Sequence, residues 1–464
     1  MYFLGAVFGV LILSPLFQKG CFIDGMLYKT VAYNYAEGLN SFWAMKFTNT
    51  SMSQFCEQPP LYFYLLGNFY KVTGEYYFTD RVFTLVLFVG FIFLLRSVIW
   101  LLFKNPGSYL LLGIFFLLAI PVYCWSYVNQ VIEPLLCVLI GCCILFFVKL
   151  IHSGKSIFAL LFILTLYLLF LGKGFQSCFM IVLPIAYVIT SKVRRVGYYA
   201  ILISTVFFLA ILLAFLKWYA PANVWMECYY KARLVLTMNN VGNTTEDHFE
   251  IIGRFFSELI VCLACVVILC AYLKFKKNYP LRFIAKNFVS NKLALSLLLT
   301  AFAGSFPYAL SLVQRGFYLI PAFICFVLAI VYGLRRYWMF FFLFTGKIAG
   351  FKFTRILFPF IASASLIYFC FSFTLYKRNE QLLKDIDMIL PYLKKGEIVL
   401  IEGERWNDFS LHSYLYMAKQ VSLSMNKKEC KFLIRSKSAP EQNTTTFAKL
   451  ELKSGEIDLY VLKE

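Results

Sequence analysis

Long apolar runs separated by short polar segments dominate the sequence. About 20 apolar residues are enough for an α-helix to cross the hydrocarbon core of a bilayer. We count about eleven runs of sufficient length, and they predict an all-α polytopic membrane protein with about eleven transmembrane helices. A shorter aromatic run at 337–344 predicts an interfacial or re-entrant segment. The long runs cover residues 1–17, 82–103, 108–126, 131–151, 156–172, 174–191, 197–217, 252–273, 293–312, 317–334 and 356–376.

The composition agrees with this pattern. Hydrophobic residues make up 61% of the chain and charged residues only 15%, whereas an ordinary soluble domain has about 25% charged residues. The 52 Phe and 31 Tyr residues are more than one water-soluble core could bury. The composition therefore excludes a soluble enzyme, a disordered chain and a disulfide-rich secreted domain. The first run lacks a basic segment before it and a cleavage site after it, so we expect an uncleaved span.

The distribution of charge predicts the orientation in the membrane. The net charge is +20, but residues 377–464 are almost balanced, so nearly all of the excess lies in loops of residues 1–376. The loops at 104, 149–155, 192–195, 274–292 and 335–355 share one face and contain only basic charges. Lys and Arg concentrate in cytoplasmic loops, which predicts a multi-pass protein of the bacterial inner membrane that binds no nucleic acid. All acidic residues before 377 lie on or near the opposite, periplasmic face.

Two domains are expected. Residues 1–376 form the transmembrane domain, with a long first outer loop at 18–80 whose segments 32–42 and 60–70 resemble interfacial amphipathic helices. Residues 377–464 change composition sharply. Helical spacing at 379–393 and strand-like segments at 397–401, 431–434, 447–452 and 457–462 predict a small α/β domain on the periplasmic side.

Three outer-face carboxylates are candidate catalytic groups. Asp24 follows the first span closely, where a carboxylate near the membrane could accept a proton from an acceptor hydroxyl or orient that hydroxyl. Its position alone favours the alternative, a solvated loop acid beside a turn glycine. Glu57 and Gln58 precede two prolines that start a helix at bilayer depth, which could also be an ordinary interfacial helix. Glu133 begins a span, and a carboxylate there is costly unless it has a partner.

Outer-face cations are unexpected in a protein that follows the positive-inside pattern. Lys173 stands between two apolar runs, and Arg81, Lys231, Arg233 and Arg315 are similarly placed. A lipid phosphate would explain these cations, while snorkelling to the headgroups is the alternative.

The cysteines and histidines give weaker signals. Most of the 14 cysteines lie in apolar runs and are expected to be small packing residues. Cys21 and Cys56 flank part of the first outer loop and could form a disulfide if that loop is periplasmic. The three histidines are too scattered to form a metal triad.

The order of several short motifs resembles the GT-C glycosyltransferases that use polyprenyl-phosphate sugars, a group containing the protein O-mannosyltransferases and the lipid A aminoarabinose transferases. The resemblance covers roughly residues 1–335. It rests on Asp24 after the first span, Gly38 before Phe42-Trp43, Glu57-Gln-Pro-Pro-Leu-Tyr, Asp80-Arg81, Asn129 before Glu133-Pro-Leu, Lys173-Gly-Phe and Arg315-Gly-Phe-Tyr318-Leu-Ile-Pro321.

The resemblance implies a GT-C-like fold and the transfer of a sugar, with inversion, from a polyprenyl-phosphate donor to a protein, lipid A or glycan acceptor at the periplasmic face. Asp24 would be the base or orienting group, and Glu57 and Glu133 would organise the site. A divalent metal held by these three carboxylates is compatible with the sequence but not required by it. The lipid phosphate and donor would be held by Arg81, Lys173, Arg315, Tyr318 and Gln58.

Two departures from the family leave the sugar and the acceptor open. The aminoarabinose enzymes typically have Lys before Pro-Pro-Leu, where this chain has Gln58, and an acidic-Arg-Tyr sequence after the first span, where Gly-Met-Leu-Tyr follows Asp24. The alternative function is a transporter or flippase of an anionic lipid, which would also need outer-face cations. The absence of a visible internal repeat and the long first outer loop favour an enzyme.

Overall fold

The structure is a computed structural model. It describes residues 2–74, 78–191, 206, 209–235, 244–343, 352–426, 430–437, 447–450, 452 and 455–462.

The chain is mostly helical, with one small sheet near its C-terminal end. Residues 9–13 form a π-helical turn between the first two helices. The helices are α1 Tyr2–Phe8, α2 Ser14–Phe17, α3 Ile23–Ala36, α4 Leu61–Thr73, α5 Thr79–Leu102, α6 Pro106–Leu118, α7 Pro121–Val128, α8 Glu133–Ser153, α9 Ser156–Lys173, α10 Val182–Ser191, α11 Leu209–Trp218, α12 Ala220–Tyr229, α13 Glu250–Glu258, α14 Ile260–Lys277, α15 Leu281–Ser290, α16 Lys292–Ala303, α17 Ile320–Gly333, α18 Lys352–Ser372, α19 Glu380–Ile389 and α20 Phe409–Lys419.

Five helical segments among the described residues are long and apolar enough to cross a membrane, or up to eight if each bent pair is one span. The chain is therefore a multi-pass membrane protein, but the expected count of eleven is not confirmed. Part of the difference comes from bends: α6 and α7 meet at 78°, α11 and α12 at 103°, and α13 and α14 at 62°. The runs expected at 156–172 and 174–191 form one helical stretch, and much of 197–217 lies outside the described residues.

The first outer loop folds into two packed helices. The Pro-initiated segment expected at 60–70 is α4. Of the segment expected at 32–42, residues 32–36 are the end of the longer helix α3 and residues 37–42 are not helical. Most of α3 is buried, because α4 packs on one side of it and α20 on another. The expectation that residues 32–42 form an amphipathic interfacial helix is therefore wrong. Of the aromatic segment at 337–344, the structure describes 337–343, and Tyr337 and Trp338 are buried.

The expected α/β architecture after residue 377 is confirmed. Five strands form a sheet in the order β2-β1-β3-β5-β4, in which β1 is parallel to β2 and β3, while β5 is antiparallel to β3 and β4. The sequence patterns did not predict α20 or β2. The strands are β1 Ile398–Ile401, β2 Ser422–Ser424, β3 Phe432–Ser436, β4 Phe447–Lys449 and β5 Ile457–Leu462.

The sheet domain contacts the first outer loop directly. Helix α20 packs against α3, and the Gln420 amide donates a hydrogen bond of 3.1 Å to the hydroxyl of Tyr33. A short bridge joins Lys19 to the segment that leads into the domain, since Lys19 N–H donates to the carbonyl of Leu375 and Lys377 N–H donates to the carbonyl of Lys19, both at 2.8 Å. The domain therefore helps to hold α3, whose first turn contains Asp24.

Candidate active site

A buried ion pair joins the ends of two neighbouring helices. Glu133 is the first residue of α8 and Lys173 is the last residue of α9, and the two helices fold back on each other. The Lys173 ammonium is paired with the Glu133 carboxylate, and both side chains are almost fully buried. The ammonium also lies 5.5 Å and 5.0 Å from the ring centroids of Phe317 and Tyr318. The partner that the sequence required for Glu133 is thus supplied by Lys173. A role for Lys173 in binding phosphate stays a prediction.

Asp24 lies half-buried in the first turn of α3. Within the described part of the chain, its carboxylate makes no hydrogen bond or ion pair. Burial, together with the negative charge of Glu133, raises the pKa of Asp24 to about 6, against the opposing effect of Arg233 and Arg315. A carboxyl group with such a pKa is ionised near neutral pH and is still basic enough to take up a proton.

A glycine allows this carboxylate to lie close to Glu133. A Cβ atom on Gly25 would collide with the carbonyl oxygen of Asn129 and with the Cys21 sulfur. The thiol of Cys21 donates to that same Asn129 carbonyl at 3.1 Å. The start of α3 therefore packs tightly against the turn between α7 and α8, which brings Asp24 within electrostatic range of Glu133.

The other two sequence candidates of the first loop line a cavity of about 410 Å³, which we call the first cavity. Its lining includes Glu57, Gln58, Tyr229, Arg233 and Tyr318. The Nε atom of Arg233 donates a hydrogen bond of 3.3 Å to the backbone carbonyl of Glu57. The described lining of the first cavity thus combines one guanidinium, one carboxylate, two amides, three phenols and one hydroxyl with apolar side chains. Ligand sites usually place polar groups on a mostly apolar wall in this way.

A disulfide connects two chain segments that line the first cavity. Cys56, next to Glu57, is bonded to Cys228, next to Tyr229. The disulfide considered between Cys21 and Cys56 is therefore wrong. Cys21 is instead a buried free thiol that donates hydrogen bonds to the turn after α7. The sequence could not reveal the true pair because 172 residues separate its members.

The end of α9 is shaped to contact the same wall. Gly174, which follows Lys173, has a positive φ of 67°, and a Cβ there would collide with the hydroxyl of Tyr229. Only glycine combines this backbone conformation with such a close approach. The turn after Lys173 is therefore packed directly against the residues of the first cavity.

Arg315 and Tyr318 are on one short segment but face two different spaces. Tyr318 lines the first cavity, whereas Arg315 lines a neighbouring cavity of about 440 Å³, the second cavity. Arg315 is exposed, and Tyr318 is buried. The segment between them therefore separates the two cavities, and Asp24 interacts electrostatically with Arg233 of the first and with Arg315 of the second.

Arg81 is not among the described residues that line either cavity. It is buried and donates a hydrogen bond of 3.1 Å to the carbonyl of Gln18. Its charge acts on Cys21 and on Lys377, whose ammonium donates to the carbonyl of Val128. The structure thus places Arg81 in a separate buried group of polar residues.

The three candidate carboxylates do not converge on a metal site. Within the described ranges, no three His, Cys, Asp or Glu side chains come together in a way that could hold a metal ion. Glu133 is already paired with Lys173. The residues present therefore do not fit the divalent metal considered from the sequence, and we derive no step through one.

Arg233 and Tyr229 are site residues that sequence reasoning did not select. Arg233 was one of several outer-face cations without a distinguishing signal, and Tyr229 carried no motif. Tyr229 is next to Cys228 and Arg233 lies five residues beyond it, but this position would have been informative only if Cys228 had been known as the partner of Cys56.

The whole chain is similar in structure to a known membrane enzyme. ArnT from Cupriavidus metallidurans bound to undecaprenyl phosphate matches with a TM-score of 0.64 and 12% identity, over 99% of this chain and 97% of that chain. Its apo state matches with a TM-score of 0.63 and 12% identity, over 97% and 95% of the two chains. The archaeal oligosaccharyltransferase AglB from Archaeoglobus fulgidus, solved with an inhibitory peptide and a dolichol-phosphate, reaches a TM-score of 0.48 at 12% identity, over 90% and 66%.

No protein-family model matches the sequence, and no curated protein is similar to it in sequence. The likeness to ArnT therefore shows the fold alone. It agrees with the motif order noted above, from which a GT-C-like fold was expected. The chain is thus a multi-pass membrane protein with the GT-C fold of ArnT.

Proposed function

We propose that the chain is a membrane glycosyltransferase that moves a sugar from a polyprenyl-phosphate donor to an acceptor hydroxyl at the periplasmic face of a bacterial inner membrane. The observation that carries this proposal is the position of Asp24. Within the described part of the chain, the Asp24 carboxylate is half-buried and makes no hydrogen bond or ion pair, and its pKa is raised to about 6. It lies within electrostatic range of Arg233, which lines the first cavity. Such a site brings a base and a phosphate-binding cation together.

The proposed reaction needs both a base and a cation that binds phosphate. The acceptor oxygen attacks the anomeric carbon of the sugar while the bond from that carbon to the phosphate oxygen breaks. The polyprenyl phosphate leaves with the bonding electron pair, and the proton of the hydroxyl passes to the Asp24 carboxylate. Attack from the face opposite the leaving phosphate inverts the configuration of the anomeric carbon.

The first cavity suits the donor. The guanidinium of Arg233 would bind the phosphate and offset the negative charge that develops on it, with Gln58 and Tyr318 as further polar contacts. The Lys173–Glu133 pair lies behind Tyr318, where it would hold the surrounding residues in place. ArnT, which has the same fold, was solved with undecaprenyl phosphate bound, and this supports a ligand of the same class.

Two observations support a periplasmic site. The basic loops mark the other face as cytoplasmic, and the Cys56–Cys228 disulfide requires an oxidising compartment. The domain after residue 377, which contacts α3, would then also be periplasmic.

The test is a transfer assay with purified protein in nanodiscs. A radiolabelled polyprenyl-phosphate sugar is supplied with an envelope extract as the source of acceptor, and both labelled product and released polyprenyl phosphate are measured. We expect release with the wild type and its loss in Asp24→Asn. Glu227→Gln, which changes an exposed carboxylate, is the matched control. Movement of the labelled lipid across vesicle membranes without any release would indicate the transporter instead.

A further inference from the structure

Helix α15 lies at the end of the helical bundle that is remote from the candidate active site. The preceding helix, α14, starts two residues after Glu258, which lines the second cavity. Its 18 residues correspond to a length of about 27 Å, close to the thickness of the hydrocarbon core. Asn278 then ends α14 in the left-handed conformation, with a φ of 55°, and Pro280 precedes α15. Helix α15 therefore begins where the chain has crossed to the other surface of the membrane.

One face of α15 is fixed to the protein. Ile284 is buried, and Phe288, one turn later, packs so closely on Gly333 that a Cβ atom there would collide with the Phe288 ring. The amide of Asn287 donates a hydrogen bond of 2.7 Å to the hydroxyl of Tyr337. These contacts determine which side chains of α15 point away from the protein.

The outward side of α15 has an apolar stripe and a basic stripe. Residues four apart share one face of a helix, and Leu281, Ala285 and Val289 form the apolar stripe. Leu281 and Val289 are 46% and 51% exposed. Arg282 and Lys286, which are also exposed, form the basic stripe on the side of the apolar stripe that points away from the protein. Such an arrangement is typical of helices that lie in the plane of a membrane surface.

The positive charge around α15 is not balanced by carboxylates of neighbouring segments. The 121 residues 259–379 contain no Asp or Glu. None of the ion pairs among the described residues involves the six basic residues from 274 to 292. All six are exposed, and they are Lys274, Lys276, Lys277, Arg282, Lys286 and Lys292. Their counter-charges must therefore come from outside this part of the protein.

We infer that α15 and the adjoining end of α14 form a binding surface for anionic phospholipids in the leaflet remote from the candidate active site. Leu281 and Val289 insert among the acyl chains, while Arg282 and Lys286 contact the lipid phosphates at the headgroup level. An acidic protein or a nucleic acid would satisfy the basic stripe but would leave the adjacent apolar stripe in water. A membrane surface satisfies both stripes at once, which is why we assign the surface to lipid.

The first test measures lipid binding to the full-length protein in detergent by native mass spectrometry. Dioleoyl phosphatidylglycerol and dioleoyl phosphatidylcholine are compared at equal concentration. We expect Arg282→Gln/Lys286→Gln to weaken phosphatidylglycerol binding about tenfold and to leave phosphatidylcholine binding unchanged. Lys394→Gln/Lys395→Gln, which removes two exposed charges from the sheet domain, is the matched control. Unchanged phosphatidylglycerol binding in the α15 variant, or an equal loss in the control, would overturn the inference.

The second test locates the apolar stripe. The photoreactive residue p-azidophenylalanine is placed at Val289 or, as the control, at Ser290, which lies on a different face of the same turn. After irradiation in whole cells, position 289 should give several-fold more phospholipid adduct than position 290. Equal lipid adducts at both positions, or an adduct with another protein at position 289, would contradict the assignment. Neither test uses a sugar donor, so their outcome is independent of the proposed function.

Discussion

The ammonium of Lys173 and the carboxylate of Glu133, 40 residues apart in sequence, form an ion pair that is almost fully shielded from solvent. The pair connects the last residue of α9 to the first residue of α8. A buried charge that loses its partner is strongly destabilising, whereas a pair replaced by apolar residues of similar size is often tolerated. Single and double substitutions of this pair can therefore distinguish a structural role of Glu133 and Lys173 from a role in function.

Glu133→Gln should lower the free energy of unfolding by about 3–5 kcal/mol, because it leaves the Lys173 charge buried without a counterion. The double variant Glu133→Leu/Lys173→Met should recover most of this stability. Denaturant unfolding in detergent provides the measurement. Glu380→Gln breaks the exposed Lys384–Glu380 pair and serves as the control, with an expected loss below about 1 kcal/mol. A buried-pair variant as stable as this control would contradict the prediction.

Asp24→Asn should reduce the rate of sugar transfer by about 100-fold or more, because the amide keeps the size of the carboxyl group but cannot accept the proton. Single-turnover transfer, measured with donor saturating, tests this directly. Donor affinity should change little, since Arg233 and not Asp24 is proposed to bind the phosphate. Near-normal transfer by well-folded Asp24→Asn protein would remove Asp24 from the mechanism.

The wild-type rate should fall as the pH decreases below about 6, because the pKa of Asp24 is raised to about 6 and the protonated carboxyl cannot act as a base. A carboxyl with the ordinary value of 3.8 would keep the rate constant to much lower pH. The raised pKa also makes the free energy of unfolding depend on pH. The stability contributed by protonated Asp24 is fully present below pH 3.8 and is lost as the pH rises through about 6. Asp24→Asn should remove this pH dependence. A flat rate profile between pH 5 and 7 would contradict the assignment.

Breaking the Cys56–Cys228 disulfide should weaken donor binding, because the bond holds Glu57 and Gln58 next to Tyr229 on the wall of the first cavity. We expect Cys56→Ser to lose about 2–4 kcal/mol of stability and to bind the donor less tightly. Cys370→Ser, at an exposed free cysteine, is the control. Thiol labelling with and without reduction shows whether the bond exists in cells. Free thiols at both positions would contradict the bond and remove one argument for a periplasmic site.

Arg233→Ala should weaken donor binding by about tenfold to a hundredfold, the loss expected for one charge-assisted phosphate contact. Arg233→Lys should recover only part of it, because the planar fork of the guanidinium is lost. Lys231→Ala, two residues away and exposed, should have little effect. Equal losses in Arg233→Ala and Lys231→Ala would indicate a general effect of charge on lipid binding rather than a specific contact.

The sequence allowed individual site residues to be predicted better than their partners. The candidate carboxylates are Asp24, Glu57 and Glu133. Each one is predicted because a carboxylate near a membrane is costly unless it has a function or a partner, and this criterion is applied to one residue at a time. Pairing depends on which helices fold back on each other, and an apolar run carries little information about its neighbours. Lys173 could therefore be recognised as unusual, but its ion pair with Glu133 could not.

The same limit explains why the arginines that were expected on the outer face could not be ranked by their importance for binding. Arg81 and Arg233 looked alike, since both interrupt the positive-inside pattern. In the folded protein Arg81 donates to the Gln18 carbonyl, whereas Arg233 lines the first cavity. The count of eleven spans is not confirmed for a different reason: hydropathy measures the length of an apolar run but not a bend such as the 103° between α11 and α12.

The contact between α3 and α20 has a consequence for the order in which the protein matures. Helix α3, whose first turn contains Asp24, is covered by a helix that lies some 370 residues later in the chain. Asp24 is synthesised early and α4 can pack on its helix soon afterwards, but the side of α3 that α20 covers is completed only after α20 has been synthesised and has folded. A ribosome-bound intermediate that already has all of its membrane helices would therefore still lack part of the packing around the proposed base, and we expect it to become active only after synthesis has passed the sheet domain.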